Sequence, residues 1–534
     1  MEEKKKRGQR SKEKPKMPGM EKRRISRTVH KTNGRNMTDI EALIEQAKQA
    51  QATYDYSSAV ELYTQASTSR KVLPEIEYDL RNRRAECFQR LGNLTAEYED
   101  LEAMVSIAEQ LDEPARLTSV VFRLVDVALK LGRTDRAQQV AETALVQAEQ
   151  VGDLNLKAVS LVALSVVDLP RNEVSQALNR CEQALLLLRQ VGDLAGEANC
   201  LRTLGKCYNA MNNSGLSWKY NEQALDLFRR LGDRKGEGQA LNSLSIASSD
   251  YSIQRVYGEQ ALAVFQAIGD RGGQSVMYNN LSLLYGHLGL YGTARQYAQR
   301  GVQGAREARS HIELVLYLES LGRAEMDLVE YDRAEKAFED SCALAVEVSD
   351  RIGEGYDRLG LGRTALAIGK VEQARQSIQL ACDLFREVNT TAELAMALAW
   401  LGAVYLALGD PQTAQRHTAE AVALLDETGN VSFDYPPQDT WWLHYQVLTY
   451  QNGGLSKRSK RKSKLEVSPL GESGSKIDLD DSWSILQKSK EITLAGIASL
   501  SDEGLRRNYL NKVKFNRSII AEWTRQATAR GLSI

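Results

Sequence analysis

A leucine followed by a small residue recurs along this chain at a nearly constant spacing, and this feature constrains the fold more than any other. The pairs are Leu124-Val125, Leu164-Ser165, Leu204-Gly205, Leu244-Ser245, Leu281-Ser282, Leu321-Gly322, Leu361-Gly362 and Leu401-Gly402. Successive pairs lie 40, 40, 40, 37, 40, 40 and 40 residues apart. A fixed period of this size predicts a solenoid, in which each unit buries its apolar face against its neighbours.

Each period contains two amphipathic helices. Leu201, Leu204 and Tyr208 form one apolar stripe at helical spacing on a first helix, and a similar stripe follows after a polar break. The second helix ends at Gly232, where glycine permits a left-handed C-cap, and Asp233 can cap the next helix. The sequence therefore predicts an all-α solenoid.

A second small residue follows most pairs by thirteen positions. These residues are Ala137, Ala177, Ser217, Ala294, Ala334, Ala374 and Ala414. We expect the small residue of each first helix to face such a small site, which lets the two backbones approach closely. A large side chain at Gly205 or Ala334 should then cost about 1–3 kcal/mol through overpacking. The 37-residue step predicts a tight turn near residues 248–251.

These motifs resemble the tetratricopeptide repeat (TPR), in the 40-residue-period subtype found in bacterial multidomain signalling and regulatory proteins. The resemblance rests on first helices such as Leu401-Gly402 with Tyr405, and on second helices such as Ala334 with Phe338. It covers residues 38–452, with a Gly-Asp hinge in place of the family's helix-ending proline. It implies a right-handed superhelix of about ten helix pairs whose first helices line a concave, partner-binding face.

The N-terminal end differs from the array in charge. Residues 1–35 hold fourteen Lys/Arg and four Glu, a charge of +10, so the remaining chain carries −11 of the total of −1. We expect residues 1–37 to be a disordered basic arm. It would serve either as a solubilising tail or as an arm that docks on nucleic acid or an acidic surface.

The C-terminal end is expected to leave the array. Trp441, Trp442, Tyr445 and Leu448 predict a closing helix that covers the last repeat, with a ligand-stacking aromatic cage as the alternative. Residues 453–481 are rich in Gly, Ser and Lys and predict a linker. Residues 482–534 predict a helical tail with helices over 482–499 and 502–530.

The sequence contains no motif of enzymatic chemistry. A phosphate-binding loop, a dinucleotide fingerprint, a zinc-protease motif and a serine-hydrolase elbow are all missing, and the five histidines are scattered. Glu197, Glu237 and Glu354 recur at one repeat position, where they match a helix dipole without catalysis. We therefore expect neither an enzyme nor a site for a cofactor or metal. Six cysteines without a paired motif, and no apolar segment of membrane-spanning length or secretory signal, favour the cytoplasm.

Aligning the first helices on the Leu-small pair predicts which side chains face the groove. The expected partner-binding residues are Asn199, Arg202, Lys206, Asn242, Asn279, Arg323, Tyr356 and Arg363. Asparagine amides can bond a peptide backbone, and Arg or Lys can bind carboxylates, so an acidic or C-terminal peptide segment is the expected ligand. Leu359, Leu366, Met396, Ala399, Trp400 and Ala403 make the outer first helices more apolar, which suits a partner helix or a second copy of the chain.

Two functions follow from the sequence. The first is a non-enzymatic protein–protein interaction scaffold that binds peptide or helical partners in the concave groove. The second is the sensory or regulatory portion of a bacterial signal-transduction protein whose output domain is missing or separately encoded. Nucleic-acid binding is disfavoured because the array is acidic, and we expect no small-molecule cofactor and no membrane partner.

Overall fold

A computed structural model of the protein describes residues 40–68, 72–171, 173–308, 310–427, 436–451 and 479–532. The expected basic arm at 1–37 and most of the expected linker lie outside these residues. The described chain is all-α, and helix α1 spans 40–52. The further helices are α2 (Tyr56–Ser67), α3 (Pro74–Leu91), α4 (Leu94–Leu111), α5 (Pro114–Lys130), α6 (Thr134–Val151), α7 (Leu154–Asp168), α8 (Val174–Val191), α9 (Leu194–Ala210), α10 (Ser214–Leu231), α11 (Arg234–Ala247), α12 (Tyr251–Ala267), α13 (Arg271–His287), α14 (Tyr291–Ala308), α15 (His311–Asp327), α16 (Tyr331–Glu347), α17 (Arg351–Ala367), α18 (Val371–Glu387), α19 (Thr391–Ala407), α20 (Pro411–Glu427), α21 (Pro437–Gln451), α22 (Leu479–Ala498), α23 (Glu503–Asn511) and α24 (Lys514–Ala529).

Helices α1 to α20 form ten consecutive pairs, and each pair packs against the next. This arrangement confirms the solenoid and the expected number of pairs. The sixth pair, α11 with α12, contains the 37-residue step: α11 has 14 residues whereas α9 and α13 have 17. Its turn is short and closes as expected, with Asp250 capping the start of α12.

The hinges between pairs have the predicted geometry. Gly192 ends α8 with φ of 77°, in the left-handed region that glycine adopts most readily. The carboxylate of Asp193 then accepts a hydrogen bond from the backbone N–H of Gly196 at 2.9 Å, capping α9. The same cap recurs at Asp233 and Asp350. The sequence has Gly429 and Asn430 at the corresponding hinge after α20, and these two residues lie outside the described residues.

The seam inside each pair brings the expected small residues together and adds a larger neighbour. A Cβ on Gly402 would lie 2.9 Å from the carbonyl oxygen of Ala414, and Ser217 donates to the carbonyl oxygen of Gly205 at 2.8 Å. A Cβ on Gly322 would also lie 2.7 Å from the ring of Phe338, which follows the small Ala334 by one helical turn. The two helices therefore approach closely at the small residues, and the space beside each glycine is filled by a larger side chain of the second helix.

The expected closing helix is the first member of an eleventh pair. Helix α21 runs antiparallel to α22, since Ser489 donates to the carbonyl oxygen of Gln438 at 3.2 Å and Trp442 packs on Leu486. Trp441 packs against Leu425 of the last repeat. Trp441, Trp442, Tyr445 and Leu448 are all buried, as a covering role requires.

The second helix expected in the tail is in fact two helices, α23 and α24, and the first begins at Leu479, inside the stretch expected to be linker. The break lies at Lys512 and Val513, where Val513 is extended. Asn516 is fully buried and donates to the carbonyl oxygen of Tyr509 at 3.0 Å, which satisfies the end of α23. Asp502 caps α23 by accepting a hydrogen bond from the backbone N–H of Leu505 at 2.9 Å.

Candidate functional site

The first helices of the pairs surround a common inner space. The ammonium of Lys130 on α5 acts electrostatically on Glu313 of α15, and Asp126 of α5 interacts with Lys206 of α9. These helices belong to different pairs, so charges can act between them only across the concave side. We call the surface formed by α3, α5, α7 and the further odd-numbered helices to α21 the inner face.

The superhelix closes on itself at its N-terminal end. The hydroxyl of Tyr56 donates to the carbonyl oxygen of Ile268 at 3.1 Å, and Arg90 pairs with Asp270 at 3.5 Å. These contacts join the first two pairs to the loop between the sixth and seventh. The first half of the inner face is thus a closed ring.

Hydrogen bonds between neighbouring first helices run along the inner face at a separation of about one period. Tyr78 pairs with Ser119, 41 residues later, and Arg123 donates to Asn82, 41 residues earlier. Two of the expected binding residues take part: Asn242 accepts from Asn280 at 3.0 Å, and Asn279 accepts from Ser320 at 2.8 Å. These contacts hold adjacent repeats in register.

Three further expected residues are engaged with neighbouring side chains. The hydroxyl of Tyr356 donates to Glu393 at 3.1 Å. Arg323 pairs with Glu319 of its own helix at 3.5 Å. The guanidinium of Arg363 lies 4.7 Å from the centre of the Trp400 ring. Tyr356, Arg323 and Arg363 are thus held by the array itself.

The remaining three expected residues lie together on α9. Asn199 donates to the carbonyl oxygen of Ala195 at 3.1 Å, within its own helix. Arg202 is 7% exposed and, within the described residues, its Nε atom has no hydrogen-bond partner. Lys206 lies one turn further along and keeps its side chain exposed to water.

The charges around Arg202 and Lys206 are unbalanced. The guanidinium of Arg202 is the main cause that lowers the pKa of Lys206 to about 8, which marks two cations in close proximity. Burial lowers the pKa of Lys235 to about 8. Burial opposes ionisation of Asp126, yet Lys130 and Lys206 outweigh it, and the pKa of Asp126 is lowered. The carboxylate of Asp126 thus interacts with several cations.

Sequence reasoning missed part of this cluster. Asp126 stands two residues after Leu124, the same repeat position as Lys206 after Leu204, so the alignment of first helices could have found it. Lys130 and Lys235 lie outside the aligned positions, at the end of α5 and the start of α11. Lys130 pairs with Asp126 at 2.7 Å on its own helix, whereas Lys235 acts on the cluster from α11.

The C-terminal half of the inner face is covered by the chain itself. Phe515 of α24 stacks on Trp400 of α19 with ring centres 5.9 Å apart. Of the apolar residues expected to receive a partner helix there, Leu359, Met396 and Ala399 are buried. The sequence predicted that this surface binds a partner helix or a second copy of the chain. In the structure, the chain's own α24 lies against it.

Glu197, Glu237 and Glu354, which recur at one repeat position, form ion pairs in place of a catalytic set. They pair with Arg189, Arg229 and Arg351. All six cysteines are buried thiols. Over the described ranges, no three His, Cys, Asp or Glu side chains are grouped to hold a metal ion. The same ranges contain no helix long and apolar enough to cross a membrane.

Comparison with known proteins gives a likeness of fold. No protein-family model matches the sequence, and no curated protein does. A Rap protein solved in complex with competence and sporulation factor is 14% identical, with 74% of this chain aligned to 99% of that one at a TM-score of 0.45. Aspartyl phosphate phosphatase F from Bacillus subtilis is 16% identical over 72% and 94% of the two chains, at a TM-score of 0.44. Yeast Tom70 is 12% identical over 93% and 98%, at a TM-score of 0.36.

The architecture is evident from the chain itself. In the described residues, eleven helix pairs follow one another, and eight of them, from α5 with α6 to α19 with α20, carry the Leu-small position in a 40-residue period that is shortened once. On these grounds the fold is an α-solenoid of helical hairpins whose repeat resembles the tetratricopeptide repeat.

Proposed function

We propose that the protein is a non-enzymatic, cytoplasmic scaffold that binds an acidic peptide segment inside the ring formed by its first seven helix pairs. The observation that carries the proposal is the buried side chain of Arg202, whose Nε atom has no hydrogen-bond partner among the described residues. A buried cation is costly unless an anion accompanies it. The bound peptide would supply that anion.

Lys206 supports the same ligand chemistry. Its pKa, lowered to about 8 mainly by Arg202, would rise again when a carboxylate binds between the two cations. The carboxylate of Asp126 acts on both cations and is already paired with Lys130 at 2.7 Å. A glutamate or aspartate side chain, or a terminal carboxylate, therefore fits the site better than a neutral group does.

The test measures binding of a fluorescent octa-glutamate peptide to the full chain by polarisation, with octa-glutamine as the reference probe. We expect Arg202→Gln and Lys206→Met each to weaken octa-glutamate binding by about tenfold, because each removes a charge-assisted contact of about 1.5–3 kcal/mol. Arg230→Gln, on the second helix α10 with a side chain 65% exposed, is the matched control and should bind as wild type does.

Salt and pH give two further readouts of the same site. Binding should weaken as salt rises, since the contact is between charges. It should also weaken as the pH passes above about 8, where Lys206 loses its proton. Equal binding of octa-glutamate by the Arg202→Gln and Arg230→Gln proteins would exclude this site.

A regulatory role in signal transduction is the second candidate. One observation favours it: the C-terminal half of the inner face holds a segment of the same chain, an arrangement that suits a protein with more than one state.

A further inference from the structure

The segment that follows α22 crosses the concave side and attaches at its tip to the sixth pair. The backbone N–H of Ser501 donates to Asp250 at 3.1 Å, and that of Asp502 donates to Ser252 at 3.1 Å. The carboxylate of Asp502 lies 3.6 Å from Arg255. We call residues 499–529 the C-terminal arm.

The arm contributes apolar side chains to cores built mainly by the array. Leu505 and Tyr509 are buried with the residues of α13, and Tyr509 lies 5.9 Å from the ring of Tyr251. Phe515 stacks on Trp400 at the other end of the arm. Beyond Phe515, helix α24 packs on α21 and α22, where Ile519 is fully buried beside Leu486 and the ring of Trp523 stacks on that of Trp483 at 6.2 Å.

Between these apolar contacts, the arm covers polar groups of α21. The amide of Gln438 donates to the hydroxyl of Tyr509 at 3.0 Å and to Asn516 at 3.1 Å. Burial raises the pKa of Asp439 to about 7, and in the described chain the Oδ1 atom of Asp439 accepts no hydrogen bond. Covering an ionisable group whose Oδ1 atom accepts no hydrogen bond costs free energy, which is recovered when water returns.

We propose that the C-terminal arm detaches from the inner face and that the surface it leaves, centred on Trp400 and Gln438, binds a helix of the same chemistry. That helix presents an aromatic ring to Trp400 and an amide to Gln438, as Phe515 and Asn516 do. The arm and a partner helix then compete for one surface. Covalent attachment gives the arm a high effective concentration, so it occupies the surface at rest.

Arm opening is measured first without any partner, by native-state hydrogen exchange of the full chain. We expect the amides of α23 and α24 to exchange at least 100-fold faster than those of α17, through an opening that leaves the array folded. Equal rates in the arm and in α17 would overturn the proposal, because the arm would then open only with global unfolding.

Competition is measured with a labelled synthetic peptide of residues 500–532. Tyr509→Ala in the full chain should weaken its own arm and raise peptide affinity at least tenfold over wild type. Adding Trp400→Ala should abolish that gain. Leu186→Ala, at a side chain 70% exposed on α8, is the control and should leave the affinity at the wild-type value.

The competition step rests on the proposed scaffold function, whereas arm opening does not. If the peptide fails to bind the Tyr509→Ala chain, the proposal that the arm and a partner helix share one surface is wrong. Octa-glutamate binding depends on Arg202 in the other half of the inner face, so it can fail or succeed independently of both arm measurements.

Discussion

At the residue scale, the seam of each helix pair is matched in size. The residue after each repeat leucine faces the residue sixteen positions later in the 40-residue units. Where the first is glycine, the second is large, as in Gly205 with Asn221 and Gly322 with Phe338. Where the first is serine, the second is small, as in Ser282 with Ala298. Each pair thus keeps its packed volume while the residues change.

Gly322→Ala should destabilise the protein, because the new Cβ would lie 2.7 Å from the ring of Phe338, a side chain fully buried in the core. We expect a loss of about 1–3 kcal/mol in the free energy of unfolding, measured by urea denaturation. Gly304→Ala is the matched control inside α14, where a Cβ meets nothing within 4 Å. It should stabilise by about 0.5–1 kcal/mol. Equal changes in the free energy of unfolding for Gly322→Ala and Gly304→Ala would contradict the close packing described for the seam.

The sequence placed Arg202 and Lys206 correctly on one side of α9, since their spacing of four residues is read directly from the chain. It could not show that Asn242 and Asn279 bond to the next repeat. That contact depends on the offset between adjacent first helices, which a period counted along the chain leaves undetermined. The same limit hid Lys235, whose neighbours come from pairs far away in sequence.

At the element scale, the short helix α11 makes room for the tip of the arm. Three residues fewer in α11 than in α9 remove about 4.5 Å of helix. Ser501 bonds to Asp250 in the turn that follows α11. The 37-residue step in the sequence therefore corresponds to a docking place, a consequence that the spacing alone did not predict.

Restoring the missing three residues between Ala247 and Ser248 should displace the tip of the arm by lengthening α11 toward it. We expect the amides of α23 to lose protection from hydrogen exchange while those of α17 keep theirs. A three-residue insertion after Gly409, whose surroundings are open, is the control and should leave α23 protected. An arm that stays protected with the longer α11 would show that the short helix is unrelated to docking.

Helix α24 shows where sequence patterns fail at this scale. Residues 502–530 carry a helical apolar pattern without proline, so a single helix is the natural expectation. The break at Lys512 and Val513 depends on the side chain of Asn516, which bonds the carbonyl oxygen of Tyr509. Ile519, and not Ile520, is then the fully buried residue. Tertiary contacts determine both the position of the break and which isoleucine is buried.

At the scale of the whole molecule, both ends of the solenoid contact the sixth and seventh pairs, at opposite ends of helix α13. The N-terminal pairs contact Ile268 and Asp270, between the sixth and seventh pairs. The C-terminal arm contacts Asp250 and also packs Lys512 against Gly289, in the turns of those same two pairs. The period predicted a stack of hairpins, and the stacking is confirmed. The closure was not predicted, because it depends on the sum of small rotations between repeats.

Gly272→Leu should open the ring at its N-terminal contact. A Cβ at Gly272 would already lie 3.4 Å from the carbonyl oxygen of Gln89, so the rest of a leucine side chain does not fit. We expect the radius of gyration from small-angle X-ray scattering to rise while helix content by circular dichroism stays constant. Gly292→Leu, also at the second residue of a helix, meets open space and should leave the radius unchanged. An unchanged radius in the Gly272→Leu chain would mean that the contact does not hold the ring.

The convergence of both ends on two central pairs has a consequence for how this gene can change. An open array can gain or lose a hairpin by duplication or recombination, because only nearest neighbours interact. Here, a hairpin inserted between Arg90 and Asp270 in the sequence would move these two residues apart and break their ion pair. We therefore expect descendants of this chain to vary in their surfaces while the number of hairpins between the tied points stays constant.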